Sequence, residues 1–165
     1  MKIMSKQKSF TLIELLVVIA IIGLLASIVL VSFKGAMVRG RTERAISDLN
    51  SLRKALEVYY TAYGSYPNSQ GGAGPWDGLY SCWGDSTPNW IPGLAPNFIA
   101  QLPRAPTNIT DCDKQYIYNS NGKDYKLIYH NPEACDSVKK QYPNMVDPVR
   151  DCWAYGFWTA GAVGW

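Results

Sequence analysis

The chain has 165 residues, which is room for one membrane segment and one modest domain. Its 16 Lys and Arg residues against 13 Asp and Glu give a formal net charge of +3. Lys2, Lys6 and Lys8 account for that whole excess, so the chain beyond residue 9 is close to neutral. Overall charge therefore argues against a nucleic-acid binder.

The basic N-terminus is followed by a long apolar stretch. From Leu15 to Phe33 there is neither a charge nor a proline, and roughly 20 apolar residues are enough for a helix to cross the hydrocarbon core of a membrane. Glu14 lies at the edge of this stretch, where an ionised carboxylate is costly if it enters the membrane. Glu14 is therefore a candidate functional residue, and it needs a positively charged partner.

A short, positively charged N-terminus before an apolar stretch is typical of an export signal. The positions of small residues indicate where this leader would be removed. Ala26 and Ser27 lie inside the apolar stretch, so ordinary signal cleavage after them would leave a hydrophobic stub. A cut between Ser9 and Phe10 would instead leave a free amino group four residues before Glu14. The positive charge of that amine could pair with the carboxylate, in the same chain or in a neighbouring copy.

The segment Lys8 to Ala26, KSFTLIELLVVIAIIGLLA, resembles the N-terminal signature of class III prepilins, which are the type IV pilins and the pseudopilins of type II secretion. The resemblance implies cleavage between Ser9 and Phe10, N-methylation of Phe10 and a role for Glu14 in assembly. Ser9 stands where the family usually has glycine, and Val31 where many members have proline. A plain signal-anchor helix is the alternative.

The resemblance also implies an α+β, pilin-like fold: one long N-terminal α-helix, first a membrane span and then an amphipathic half, packed on a small antiparallel β-sheet head with long loops. Close contacts between helices of a filament are expected at the small residues Gly23, Ala20, Ala26 and Ser27. Thr11 is interpreted as a packing residue.

The function expected from the resemblance is that of a structural subunit of a type IV pilus-like filament. The prepilin would cross the cytoplasmic membrane once, lose its leader and polymerise into an extracytoplasmic, cell-surface filament. Expected partners are other copies of the chain, a prepilin peptidase, and the assembly platform and ATPase of a pilus or type II secretion machine. The alternatives are a major pseudopilin of type II secretion, a minor pilin acting as an adhesin or DNA-binding module, and a monomeric membrane-anchored receptor.

The helical pattern continues beyond Phe33 to Tyr63. A basic cluster, defined as Lys34, Arg39, Arg41 and Arg44, is predicted either to lie in solvent near lipid headgroups or to dock on acidic residues of adjacent subunits. An apolar stripe then recurs in steps of three and four, which is typical of a half-buried helix. Its members are Ile46, Leu49, Leu52, Leu56, Tyr59 or Tyr60, and Tyr63. Gly64 is the predicted terminator.

The remainder reads as a head built from loops and short strands. Residues 65–106 are rich in Gly, Pro, Ser and Trp, and are predicted to be a packed loop. Strands are predicted at about 115–119, 124–130 and 151–159, with Asn121-Gly122 at a hairpin turn. Residues 131–150 are predicted to be a loop, and Gly161 to Trp165 an apolar tail on the sheet.

The chain is thus divided into a leader at 1–9, a hydrophobic transmembrane or filament-core helix at 10–33, its amphipathic continuation at 34–63 and a globular head at 64–165. All four cysteines follow the apolar stretch, and an even number in an exported domain predicts two disulfides. Local closure is favoured among the three possible pairings: Cys82 with Cys112, and Cys135 with Cys152.

No metal ligands stand out in the sequence. The cysteines lack CxxC spacing, and the single histidine, His130, is interpreted as a surface residue of a strand. No cofactor is expected, although five loop aspartates leave calcium as an open alternative: Asp111, Asp113, Asp136, Asp147 and Asp151. No nucleophile–base pair or phosphate loop is recognisable, and the chain is predicted not to be an enzyme.

Overall fold

The structure, a computed structural model, describes residues 10–71, 75–80, 82, 88–106 and 112–165, without the side chains of 29–32. The chain divides into two compact units, Met1–Met37 and Val38–Trp165. One helix, α1, runs from Leu12 to Tyr63. The helix predicted from Phe10 therefore begins two residues later, at Leu12.

Gly64 ends α1, as the sequence predicts. Its φ is +72°, and its N–H donates to the carbonyl oxygen of Tyr60 at 2.7 Å. A glycine adopts this left-handed conformation without the steric cost of a Cβ atom. The chain can therefore leave the helix sharply and return toward the sheet.

The predicted stripe on α1 is the centre of the head's core. Leu49, Leu52 and Leu56 are completely buried, and they pack with tyrosines of the sheet in one apolar cluster. Tyr63 is 61% exposed, so its assignment to the buried stripe is wrong. The last turn of the helix extends beyond the leucine core, and the Tyr63 ring packs at the surface against Phe98.

Among the residues that the structure describes, the sheet has five antiparallel strands, two more than the sequence indicates. They are β1 (Asp77–Gly78), β2 (Tyr116–Ser120), β3 (Tyr125–His130), β4 (Val146–Asp147) and β5 (Asp151–Trp158). The order across the sheet is β1-β2-β3-β5-β4. The three predicted strands are present, each displaced by at most one residue at an end, and the α+β fold class is confirmed.

The β2–β3 hairpin closes differently from the tight Asn-Gly turn that the sequence favours. Only Gly122 has a positive φ, of 83°. The side-chain Oδ1 of Asn121 accepts hydrogen bonds from the N–H groups of Lys123, at 3.0 Å, and Asp124, at 2.8 Å. Asn121 therefore shapes a longer turn with its side chain, as asparagine commonly does.

The prediction that residues 131–150 form a loop is wrong. A short helix, α2 (Cys135–Gln141), lies there together with β4. The disulfide Cys135–Cys152 joins α2 to β5, and Lys139 pairs with Asp151 at 2.8 Å across the same junction. These cross-links hold a helix of only seven residues, which would not be stable alone.

Both faces of the sheet are covered. Tyr125, Leu127 and Tyr129 belong to the cluster that packs on α1, as their alternation predicts. The opposite face holds a second apolar cluster that includes Trp76, Ile128 and Trp158.

A buried ionic cluster joins β3 to β4 on that second face. The Lys126 ammonium and the Asp147 carboxylate, both 0% exposed, lie 2.8 Å apart. Arg150 donates to the other carboxylate oxygen at 2.8 Å. Lys126 and Arg150 each also donate to the carbonyl oxygen of Trp165 at 2.8 Å. Residues 160–165 are thereby fastened to the sheet.

Candidate functional site

Glu14 is the only charged residue between Phe10 and Phe33, and its carboxylate is engaged at the start of α1. Its Oε2 accepts from the Thr11 N–H at 2.8 Å and from the Thr11 hydroxyl at 2.6 Å. In return, the Glu14 N–H donates to Thr11 Oγ1 at 3.3 Å. This reciprocal arrangement is a capping box, in which two otherwise unsatisfied N–H groups of the helix terminus find acceptors.

Thr11 is therefore the N-cap of α1, and the interpretation of Thr11 as a packing residue is wrong. The sequence carries the signal that would have found it, since Thr followed three residues later by Glu before an apolar run is the signature of a capping box. The consequence for Glu14 is geometric. Both Thr11 bonds engage Oε2, so the carboxylate is held in one orientation beside the helix terminus.

Phe10 lies just before the cap and is 83% exposed. The peptide bond that is predicted to be cleaved links Phe10 to Ser9. Ser9 lies outside the described residues, as does the rest of the leader at 1–9. In the uncut chain the Phe10 nitrogen is part of a peptide bond. The amine that is the expected partner of Glu14 would exist only after cleavage.

The apolar half of α1 is uncovered within its own unit. Leu12 is 81% exposed, and the large hydrophobic side chains described between Phe10 and Phe33 are all 47% exposed or more. The helix contains a stretch that is long and apolar enough to cross a membrane. So large an apolar surface requires lipid or other protein to cover it.

The small residues of this helix leave its surface shallow on one side. A Cβ atom placed on Gly23 would meet nothing within 4 Å. The Ser27 hydroxyl donates to the Leu24 carbonyl oxygen of its own helix at 2.7 Å, so it can lie in an apolar environment without an unsatisfied donor. Gly23 and Ser27 are four residues apart and share one face, a spacing that lets a neighbouring helix approach closely.

The basic cluster after the apolar half is partly paired within the head. Arg41 lies 2.9 Å from Glu133, and Arg44 lies 3.8 Å from Asp48. Burial raises the pKa of Asp48, against a hydrogen bond from Tyr116 and the charge of Arg44. These intrachain pairs reduce the part of the cluster that is open to lipid headgroups or adjacent subunits, because Arg41 and Arg44 already have acidic neighbours.

The cysteines form Cys82–Cys112 and Cys135–Cys152 in the structure, which is the pairing that the sequence favours. His130 is only 9% exposed, so its interpretation as a surface residue is wrong. Its Nδ1 lies 3.1 Å from Asp113 Oδ1.

The aspartates considered for calcium are dispersed among other partners. Asp147 binds Lys126 and Arg150, Asp151 binds Lys139, and Asp111 lies outside the described residues. Within the described part of the chain, no group of three or more His, Cys, Asp or Glu residues is placed to hold a metal ion.

Comparison with known proteins finds a family model and several relatives that match the N-terminal part of the chain. Residues 4–30 match the model of the prokaryotic N-terminal methylation motif. The type II secretion system core protein G of Pectobacterium carotovorum subsp. carotovorum is 39% identical over 67 residues, 41% of this chain and 43% of that protein. The core protein G of Escherichia coli (strain K12) is 39% identical over 72 residues, 44% of this chain and 50% of that protein.

A pilin is similar to the same extent. The type IV major pilin protein PilE1 of Neisseria gonorrhoeae is 38% identical over 68 residues, 41% of each chain. The chain therefore spans half or less of the length of these curated relatives. No solved structure matches it significantly. The resemblance to type IV pilins and type II secretion pseudopilins is confirmed by the matched motif and by these relatives.

Proposed function

We propose that this chain, which carries a prepilin-type N-terminal motif and a pilin-like α+β fold, is a structural subunit of a type IV pilus-like filament. The observation that carries the proposal is the apolar half of α1, which is uncovered over its described side chains and carries one charged residue, Glu14, at its start. A helix with this surface is stable in a membrane and equally in a bundle of identical helices. Transfer from one to the other is the polymerisation step.

Glu14 supplies the specificity of that step. After cleavage before Phe10, the new amine carries a positive charge within reach of a neighbouring carboxylate. Thr11 occupies Oε2 of Glu14, and a carboxylate accepts about four hydrogen bonds in total. Oε1 then accepts the ammonium of an adjoining copy. An arriving subunit in the wrong register would leave both charges unpaired in an apolar surrounding, which is costly.

Thr11 keeps the waiting subunit stable in this mechanism. A carboxylate near hydrocarbon without any partner would be expensive. Its two hydrogen bonds from Thr11 satisfy part of its hydrogen-bonding capacity before any neighbour arrives. Assembly then adds a partner to Glu14 instead of exchanging one for another.

The filament can be of two kinds. A cell-surface pilus is the first, and the likeness to a type IV major pilin supports it. A pseudopilus of type II secretion is the second, and the likeness to core protein G of two organisms supports it. Both require a prepilin peptidase to cut after Ser9, a membrane to hold the precursor, and an assembly platform with an ATPase. A structural role without enzymatic activity fits either.

The experiment compares Glu14→Val with wild type in cells that contain the assembly machinery. Valine makes the apolar stretch more hydrophobic, so membrane insertion is expected to be unchanged. Filament growth is expected to fail, because each added subunit would bury an ammonium without its carboxylate. The measurement is the amount of chain in the membrane fraction and in sheared filaments.

Glu133→Val is the matched control, since it removes a glutamate from the head, where the partly exposed pair with Arg41 contributes little. It should assemble like wild type. Normal filament yield from Glu14→Val would remove Glu14 from the mechanism. Failure of both variants would show that the assay responds to damage of the chain in general.

A further inference from the structure

The start of α1 lies immediately after the bond that is predicted to be cleaved. Phe10 and Thr11 are outside the helix, which begins at Leu12. The Thr11 carbonyl oxygen accepts the first helical hydrogen bond, from the Leu15 N–H at 3.3 Å, whereas the Thr11 N–H donates to the Glu14 side chain at 2.8 Å. Phe10 therefore precedes the N-cap residue, and its nitrogen belongs to non-helical backbone.

Non-helical backbone at this position matters for hydrolysis of the bond between Ser9 and Phe10. Negative charge develops on the carbonyl oxygen of a peptide bond as it is hydrolysed, and a peptidase stabilises that charge with its own hydrogen-bond donors. In an α-helix the carbonyl oxygen already accepts from the N–H four residues later. If α1 began farther upstream, the Ile13 N–H would therefore occupy the carbonyl oxygen of Ser9.

The sequence offers such an upstream start. Ser9 is the first residue before Thr11 whose side chain favours an N-cap position. With Ser9 as the cap, Phe10 would become the first helical residue, and the bond to be cut would join the cap to the helix. The third residue after Ser9 is Leu12, which cannot complete a capping box.

The side chains of Thr11 and Glu14 select the downstream start. The Thr11 hydroxyl donates to Glu14 Oε2 at 2.6 Å and accepts from the Glu14 N–H at 3.3 Å. Glu14 is the third residue after Thr11, so these bonds belong to a helix that Thr11 caps. Phe10 then stays outside the helix and is 83% exposed, and exposed backbone outside regular elements is the preferred place for proteolysis.

We infer that Thr11 is a positioning residue for removal of the leader. By fixing the start of α1 at Leu12, it keeps the bond between Ser9 and Phe10 in non-helical backbone that a prepilin peptidase can reach. This role rests on the proposed function, which requires the cut. It differs from the role of Glu14 in assembly, because Thr11 acts on the precursor and the Glu14 pair forms only after cleavage.

The first test compares Thr11→Val with Thr11→Ser in the full-length chain. Valine removes the hydroxyl with little change in volume, and serine keeps the hydroxyl. Loss of an N-cap shifts the balance between two helix starts by about 2- to 30-fold, so Thr11→Val should be cleaved about threefold or more slowly than wild type. Thr11→Ser should be cleaved at close to the wild-type rate. The measurement is the conversion of uncut to cut chain over time, by mass, in membranes that contain a prepilin peptidase.

The second test removes the competing cap. Ser9→Ala combined with Thr11→Val should be cleaved at about the rate of Ser9→Ala alone, because the helix then has no favourable start at residue 9. Ser9→Ala alone is the reference, since residue 9 itself contacts the peptidase. A double variant that stays as slow as Thr11→Val would overturn the inference, because the peptidase would then be reading the Thr11 hydroxyl directly.

Hydrogen exchange of the uncut chain in detergent reports the helix start without the peptidase. A start at Ser9 gives the Ile13 N–H a carbonyl acceptor, so exchange of that amide should slow in Thr11→Val by about the same factor as cleavage. Slow cleavage with unchanged exchange at Ile13 would overturn the role of the helix start.

The remaining outcomes separate this inference from the proposed function. Cleavage of Thr11→Val at the wild-type rate would overturn the inference and leave the proposed function standing. Equal slowing of Thr11→Ser and Thr11→Val would also overturn it, since serine retains the cap. A wild-type chain that the peptidase does not cut would overturn both.

Discussion

Asp147 offers a sharp test of how the head is held together. Its carboxylate accepts from both Lys126 and Arg150, so Asp147→Ala removes the charged side chain that they share and leaves the two cations with the main-chain oxygen of Trp165 as their common acceptor. Breaking a buried pair from one side typically costs about 3–5 kcal/mol. That is a large part of the stability of a small domain.

Lys126→Met should cost less, although it disrupts the same contact. Asp147 would keep its hydrogen bonds from Arg150, at 2.8 Å, and from the Val149 N–H, at 2.9 Å. The expected loss is about 1.5–3 kcal/mol, which is the usual contribution of a hydrogen bond to a charged group. The double variant Lys126→Met with Asp147→Leu should be more stable than Asp147→Ala, because an apolar pair replaces the stranded charge.

The assay is urea unfolding of the full-length chain in detergent, followed by tryptophan fluorescence. Trp158 is a suitable reporter, because its ring lies 5.3 Å from the Lys126 ammonium. A Lys126→Met variant as unstable as Asp147→Ala, or more so, would refute the reasoning that Asp147 is the shared counterion.

Three further predictions concern the head. Burial opposes ionisation of Asp147, but hydrogen bonds from Lys126, Val149 and Arg150 hold the pKa of its carboxyl below the ordinary value of 3.8. The stability that the ionised Asp147 contributes is therefore present above that pH and should be lost on further acidification. Acid titration of the wild type against Asp147→Ala would detect this loss. Leu49→Ala should cost about 2–5 kcal/mol in urea unfolding, because Leu49 is completely buried, and insertion into membranes should be unchanged. Mass mapping of the exported chain without reductant should find Cys82–Cys112 and Cys135–Cys152 and no free thiol; two or more alkylatable cysteines would contradict this.

Local patterns carry much of the fold. The steps of three and four from Ile46 to Leu56 place one face of α1 in the core, because a helix repeats every 3.6 residues. Tyr125, Leu127 and Tyr129 are alternate residues of β3, so they lie on one face of the strand, and this is the face that packs on α1. Gly64 ends the helix because a glycine adopts a positive φ without steric cost, and this property can be read from that one residue.

Contacts between distant segments account for what the sequence does not reveal. Lys126 alternates with apolar residues and would be assigned to solvent, but Asp147 and the segment up to Trp165 cover it. Helix α2 has few apolar residues, and a disulfide to β5 holds it. Trp76 covers the second face of the sheet from a loop that is rich in glycine and proline. None of these partners is near in sequence.

The functional features of the chain likewise comprise some that the sequence predicts and some that only the folded chain creates. Glu14 is conspicuous as the only charge in an apolar run, and the TLIE spacing of Thr11 to Glu14 contains the capping box. A groove lined by Val38 and Ile46 of α1 and by Val138 of α2 could not be predicted, since it exists only after α2 is fastened to the sheet.

The most direct test of the central claim is the N-terminal mass of the chain in sheared filaments. The account predicts that assembled chains begin at Phe10 and carry a methyl group on its nitrogen, because the Glu14 mechanism needs the amine that cleavage creates. Assembled chains that still begin at Met1 would contradict it, since their Phe10 nitrogen would be part of a peptide bond and could not pair with Glu14.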